Sequence, residues 1–278
     1  MRPPMSQRLL ALALVLPALL TILLFFVAPL GASVTGAFSL DGDFTLSNFG
    51  KSFELYSSDI LFTLCIAGLS TGVIGALAVS IGGYLTLGEN PLAVAVLRWL
   101  YRWPLFIPFI VVGQILRTFL ARNGLMNNIL IAGGLLTPLQ TTSFLDWRGI
   151  VIAFVWKQTP FVALLVAGAM ASVDRGTLEA ARNLGASRLR ILLEILLPQV
   201  YTTLAVGLIL SFVTMMSVLS VPLMINAQSP TMLTADIAFR INAYGDYGVA
   251  NALGLISLLM TAGAAAIYLR HAARERAR

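Results

Sequence analysis

Few side chains in this sequence could do covalent chemistry, and their spacing argues against it. A single histidine, His271, and a single cysteine, Cys65, leave no partner for a Ser/His or Cys/His nucleophile pair or for a Cys/His metal site. Gly50-Lys51-Ser52 has the end of a phosphate-binding loop, but the glycine needed five positions earlier is Thr45 and no strand precedes it, so nucleotide binding by this chain is not expected. What remains is recognition chemistry within apolar stretches. Lys157 stands in Trp156-Lys157-Gln158-Thr159-Pro160, near the middle of a long apolar run, where a cation is costly unless it faces protein or water. With Gln158 it could line a solute pathway; equally it could satisfy carbonyls freed by Pro160 or pair with a carboxylate of another subunit. Thr214 and Ser217 are further pathway candidates, although hydroxyls in apolar helices also bond back to their own backbone. No catalytic residue, no metal and no cofactor bound by this chain is expected.

The other stretch with chemistry in it is Asp174–Pro198, DRGTLEAARNLGASRLRILLEILLP, a polar and basic interruption between apolar runs. It reads as two short helices about a turn at Gly185. Asp174 or Thr177 could cap the first helix, Gly185 can take the left-handed conformation that ends it, and Ser187 can cap the second. The second helix is expected to place Leu189, Leu192, Leu193, Leu196 and Leu197 on one stripe, with Arg188, Arg190 and Glu194 off it, until Pro198 restarts the chain.

These residues carry a resemblance. Glu179-Ala180-Ala181, three residues, Gly185, nine residues, Ile195, one residue, Leu197-Pro198 resembles the EAA signature of permease subunits in binding-protein-dependent ABC importers of type I. In that family the loop is a coupling helix docked in a groove of a cytoplasmic ATPase. The resemblance implies that Ala180, Ala181 and Gly185 let the partner approach closely, that Glu179, Arg182 and Arg188 orient the contact, and that Ile195, Leu197 and Pro198 complete the motif. LEAARNLGAS looks most like the polyamine branch of the family, which also includes thiamine, iron and phosphonate-like solutes; Asn183 stands where many relatives have Asp.

Elements must place this loop at a membrane surface. The 278 residues are 58% hydrophobic and 11% charged, with mean hydropathy +0.89, which describes a polytopic membrane protein. A net charge of +6 with no basic stripe among aromatics argues for membrane topology rather than nucleic-acid binding. Spans are expected over about 9–34, 60–87, 103–121, 148–172, 200–223 and 248–269, with 123–138 as an outer-surface helix and the coupling loop at 174–198. Glycines 68, 72 and 75 in the second span suggest close helix packing. Twelve of the 18 basic residues then fall at the N-terminus (two), between the second and third spans (two), in the signature loop (four) and at the C-terminus (four). That distribution puts both termini and the loop on the cytoplasmic side.

The expected fold is therefore all-α, six transmembrane helices with the EAA helix-turn-helix between the fourth and fifth, in a bacterial inner membrane. The resemblance further implies a cytoplasmic ABC ATPase dimer carrying ATP and Mg, a second permease subunit and an extracytoplasmic solute-binding protein. The expected solute is a polyamine, with anionic or neutral solutes, sugars included, as the alternative. A secondary transporter would be expected to show internal repeats, discontinuous helices near the midplane and carboxylates within spans; no clear repeat and no acid in any span's interior is evident. A membrane assembly factor would need only packing residues.

Overall fold

The computed structural model describes residues 5–40 and 42–276, with side chains from 14–40 and 42–266. Arg2, Asp41 and Arg278 lie outside the described residues, as do the side chains of Arg8, Arg270, His271, Arg274 and Arg276. In chain order, α1 runs through Met5–Ile22, a π-helical turn at Leu23–Val27 and Ala28–Ala37. A two-stranded hairpin, β1 (Ser39–Leu40) and β2 (Asp43–Phe44), precedes α2 (Ser47–Leu87). Then come α3 (Pro91–Leu100), α4 (Phe109–Leu120), α5 (Leu125–Ala132), α6 (Trp147–Ala171) and α7 (Arg175–Asn183). The chain continues with α8 (Arg188–Ser217), α9 (Ser220–Ile225), α10 (Leu233–Phe239) and α11 (Tyr247–Arg276).

Helix is what lets an apolar backbone satisfy its own polar groups in hydrocarbon. Among the described residues five helices are long and apolar enough to cross a bilayer: Leu14–Ala37, Ser47–Leu87, Trp147–Ala171, Arg188–Ser217 and Tyr247–Ala266. A sixth crossing requires joining two helices bent by 107°. The all-α membrane architecture is as expected; several element boundaries are not.

The largest difference is the third expected span, 103–121. Trp103–Phe106 forms a 3-10 turn, Ile107 is extended ahead of Pro108, and only the 12 residues of α4 are α-helical. At 1.5 Å per residue α4 reaches about 18 Å, short of the ~30 Å hydrocarbon core. Pro104 and Pro108 are the reason, since each lacks an N–H, and Pro108 also holds Ile107 out of the helical region. Lys157 meets this break: its Nζ donates to the carbonyls of Pro104 at 2.8 Å and Leu105 at 3.0 Å and lies 5.5 Å from the Phe109 ring centre. It satisfies carbonyls freed by a proline-broken segment, though not those of its own Pro160.

Other boundaries shift for local reasons. Residues 47–59, expected in an exterior loop, are helical, but Tyr56 (φ −125°, ψ 15°) interrupts α2 ahead of the expected span. The helix expected to end at 223 ends at Ser217, where Val218 is extended, and resumes as α9. The 123–138 segment forms the short α5. Its Asn127 is 1% exposed and donates to the carbonyls of Ala121, Arg122 and Thr142. Gly68 and Gly72 meet nothing within 4 Å, but Gly75 is a close approach as expected, a β-carbon there lying 3.3 Å from Leu208, and others occur at Gly82, 3.2 Å from Val166, and Gly83, 2.7 Å from Leu192.

Among the described residues, packing divides the chain into two units, one of residues before Ser58 together with Asp236–Leu258, the other of Ser58–Ala235 together with the segment from Leu259. In the first, Ser33 Oγ donates to Asn251 Oδ1 at 2.9 Å and buried Asn48 donates to the carbonyls of Ala37 and Ser39. In the second, Ile150, Phe154, Val162 and Met170 of α6 pack with Ile191, Leu196 and Val200 of α8 in one core. Asp59, 1% exposed, accepts the Thr231 N–H at 2.7 Å and the Ser229 hydroxyl at 3.2 Å, tying α2 to the 229–231 loop.

Lys157→Met removes the donor to the Leu105 carbonyl and leaves the Pro104 carbonyl with only the Ile107 N–H at 3.3 Å. We expect a loss of about 1–3 kcal/mol, read as a lower thermal unfolding midpoint in detergent, with more solvent exchange at 105–109 than at α8. An unchanged midpoint would remove the clamp.

Candidate functional site

The signature loop is built by three local signals. Asp174 (ψ 125°) caps α7: its carboxylate accepts the Thr177 N–H at 2.8 Å and the Thr177 hydroxyl at 3.0 Å. The Thr177 N–H, then its hydroxyl and the Gly176 N–H, hold the Asp174 carboxyl below the usual carboxylate range. At the other end Gly185 has φ +82°. Its N–H bonds to the Arg182 carbonyl at 2.9 Å and the Ala186 N–H to the Ala181 carbonyl at 3.0 Å, the paired pattern of a Schellman turn. Ser187 Oγ then accepts the Arg190 N–H at 3.3 Å and starts α8. Each of these three roles is the one its residue type suggests.

The loop has two faces. Leu178 is buried, and Ala181 and Ala186, both half-buried, pack against the core, so Ala181 is less open to a partner than the motif implied. Ala180 and Gly185 are exposed, and between them Leu184 is 89% exposed at the tip. Sequence reasoning missed Leu184. The signal was present: a leucine immediately before a helix-ending glycine, with no place on the stripe of either flanking helix.

Charges orient the loop against its own chain. Arg188 pairs with Glu89 just before α3, Arg190 with Glu194 at 2.9 Å, and Arg182 Nη2 lies 3.5 Å from the Leu87 carbonyl at the end of α2. A cation at a helix C-terminus is favoured by the helix dipole, whereas the exposed pairs contribute little. Glu179 is exposed and borders a cleft with Arg98, Arg102, Arg175 and Arg182.

Pro198 does not restart the chain. α8 continues unbroken from Arg188 to Ser217 because Ile191–Leu196 is π-helical, a wider turn that absorbs the missing N–H of Pro198. The wider turn also moves the apolar stripe. Ile191 and Leu196, five residues apart, are fully buried, with Leu192, Ile195 and Leu197 half-buried; Leu189 and Leu193 are 64% and 49% exposed. Ile195 and Leu197 are thus packing residues, and Pro198 is exposed.

The pathway candidates are not brought together into one polar lining. Gln158 is buried, its Nε2 3.4 Å from the Ser211 carbonyl, while Thr214 and Ser217 hydroxyls donate to Leu210 and Val213 of their own helix. Lys157 is held on the broken segment described above.

Residues 76–276 match the family model described as binding-protein-dependent transport system inner membrane component. The chain is 26% identical over 283 residues to the sulfoquinovosyl glycerol transport system permease protein SmoG of Agrobacterium fabrum, covering 96% of this chain and 91% of that one. It is 27% identical over 278 residues to the trehalose/maltose transport system permease protein MalF of Thermococcus litoralis, covering 92% and 91%. A chain of a bacterial alginate ABC transporter, solved with an alginate pentasaccharide-bound periplasmic protein, superposes with TM-score 0.78 over 93% of each chain at 21% identity. These relatives are named for sugars and glycosides, so the expected polyamine branch finds no support.

A β-carbon on Gly185 meets nothing within 4 Å, so substitution there tests backbone conformation alone. Gly185→Val should loosen the turn, costing upward of about 1–2 kcal/mol, while Gly185→Asn, which tolerates positive φ, should keep it. Amide exchange at Ala186 separates the two. Because the Asp174 pKa is depressed, its cap is present above the ordinary carboxylate range and lost as pH falls through that range and below. Exchange at Thr177 should therefore accelerate, relative to a buried α8 amide, between pH 5 and 3, and Asp174→Asn should remove that dependence.

Proposed function

Because the chain belongs to the family of binding-protein-dependent transport system inner membrane components, we propose that it forms part of a solute pathway and that Asp174–Pro198 is where a cytoplasmic ATPase acts on it. The chain is a multi-pass transport subunit of an ABC importer, not an enzyme; a binding protein supplies its solute and an ATPase supplies the work. ATP and Mg then reside on the ATPase, in the proposed arrangement a dimer, with a second permease, identical or sister, completing the pathway. Both termini and the signature lie on the cytoplasmic side in this reading, as the 12 of 18 basic residues on that side favour.

The observation that carries the coupling role is the form of the loop: Ala180, Leu184 and Gly185 present a small apolar knob, held by a capped helix and a Schellman turn, on residues that carry the EAA signature. Such a knob suits a groove on a partner. The turn leads without a break into α8, so displacement at the knob reaches the fifth span along one helix. Closure of the ATPases biases a two-state membrane domain through that contact. The docking force comes from Leu184 and close backbone approach, with Glu179, Arg182 and Arg188 setting the seat of the loop.

For the solute we propose a sugar or glycoside, neutral or anionic. The support is the named relatives, SmoG and MalF. Lys157 gives no support to either charge, since its ammonium is occupied by two backbone carbonyls.

The test is reconstitution with an ABC ATPase and a solute-binding protein identified by co-purification with this chain. Leu184→Asp and Glu179→Lys are expected to leave membrane insertion intact and to reduce solute-stimulated ATP hydrolysis at least tenfold, with Leu184→Asp also weakening co-purification of the ATPase. Wild-type coupling in both variants would remove the loop from its role. In uptake assays a sugar or glycoside should stimulate hydrolysis where putrescine and spermidine do not; stimulation by a polyamine alone would reverse the solute assignment.

A further inference from the structure

The cleft behind the signature loop holds three arginines, Arg98, Arg102 and Arg175, that the proposed importer role does not use. It measures about 550 Å³ and is walled by the end of α2, the residues after α3, the last turns of α6 and the inner side of α7. Four arginines line it, Arg98, Arg102, Arg175 and Arg182, against one acidic residue, Glu179. Among the described residues none of the four arginines lies within 4.0 Å of a carboxylate. Their contacts are neutral: Arg182 with the Leu87 carbonyl, Arg102 with the Tyr101 hydroxyl at 3.3 Å. Arginine does not shed its charge, so four such groups around one cavity call for an anion.

What the anion is attached to follows from the neighbouring surface. Arg98 and Arg102 also border a second groove, of about 400 Å³, lined by Ala95, Trp99, Trp103 and Phe106. Its walls are almost wholly apolar and face outward: Trp99, Trp103 and Phe106 are 61%, 55% and 84% exposed. Trp99 and Trp103 stand edge to face, ring centres 4.6 Å apart. They extend from α3, a 10-residue helix with an Asn90 cap and an exposed apolar side that includes Leu92 and Val96. Such a helix, rich in tryptophan and arginine at one end, suits the plane of a membrane interface.

We propose that this double cleft binds an anionic phospholipid, with the headgroup phosphate among Arg98, Arg102, Arg175 and Arg182 and the acyl chains along Trp99, Trp103 and Phe106. A soluble phosphate, or carboxylates of a docked protein, would match the basic half and leave the apolar half without a function. The lipid uses both halves through the two arginines they share. It also ties the inner side of the signature loop to the bilayer, since Arg175 and Arg182 belong to α7. The proposal does not depend on the solute or on ATPase coupling.

The test uses the purified full chain, with phosphatidylglycerol and phosphatidylcholine as probes, native mass spectrometry as one readout and tryptophan quenching by tail-brominated phosphatidylglycerol as the other. Trp147→Phe and Trp156→Phe leave Trp99 and Trp103 as the reporters. Phosphatidylglycerol should be retained at least tenfold over phosphatidylcholine and should quench both reporters. Arg98→Gln with Arg102→Gln should weaken retention about thirtyfold, near fivefold per arginine. Arg98→Lys with Arg102→Lys should keep most of it, and so should the charge-matched pair Arg117→Gln with Arg122→Gln, which also controls for misfolding. Equal losses in the two glutamine pairs, absence of quenching, or displacement of the lipid by equimolar inorganic phosphate would overturn the proposal. So would loss of the lipid on assembly with the ATPase, which would assign the arginines to that subunit's carboxylates.

Discussion

A backbone in hydrocarbon must find its hydrogen bonds within the protein, and this chain departs from straight helix in several places that each need a remedy. At 103–108 two prolines break the path, and Lys157 from α6 donates to the carbonyls left over. At 191–196 a π-helical turn absorbs the N–H that Pro198 lacks. At the start of the α2 span, buried Asp59 takes the Thr231 N–H, and Thr63 takes the Leu233 N–H at 3.0 Å. The polar residues inside the apolar runs are thus largely committed to backbone. This is why a cation near mid-span need not advertise a solute site.

The π-helical turn has a mechanical consequence. Had Pro198 ended a helix, the signature loop would hang from the fifth span by a flexible joint, and motion at Leu184 would be lost there. With the wider turn, Arg188–Ser217 is one rod, and Ile191, Leu196 and Val200 seat it against α6. Packed helices of this kind have discrete arrangements rather than continuous ones, so a push at the loop selects between positions of the rod.

What could be read from the sequence was whatever is decided within a few residues. Asp174, Gly185 and Ser187 announce their roles because caps and left-handed turns depend on local backbone geometry. Five of the six expected spans are legible for the same reason: length and composition settle them. The third span was misread because Pro104 and Pro108 stood at its edge, where proline often merely begins a helix, and the remedy came from Lys157 some 50 residues away. The buried stripe of α8 was misread because it was counted at 3.6 residues per turn, and a π-helical turn changes the count. The ten residues around Glu179 carry the family and say nothing of the solute, which other surfaces recognise.

The two faces of the signature loop divide the work that the motif alone had merged. Its charges were expected to meet the motor. Arg182 and Arg188 instead reach toward the end of α2 and the link before α3, and Arg175 and Arg182 border the cleft behind the loop. Seated on that side by Leu178, Ala181 and Ala186 and oriented there by its arginines, the loop can offer the other side as small residues around one exposed leucine, a surface whose contact does not depend on salt. In the proposed coupling role the loop must release and re-engage the ATPase without unseating itself. Placing the long-range, screened interactions inward and the short-range apolar contact outward meets both demands with the same dozen residues.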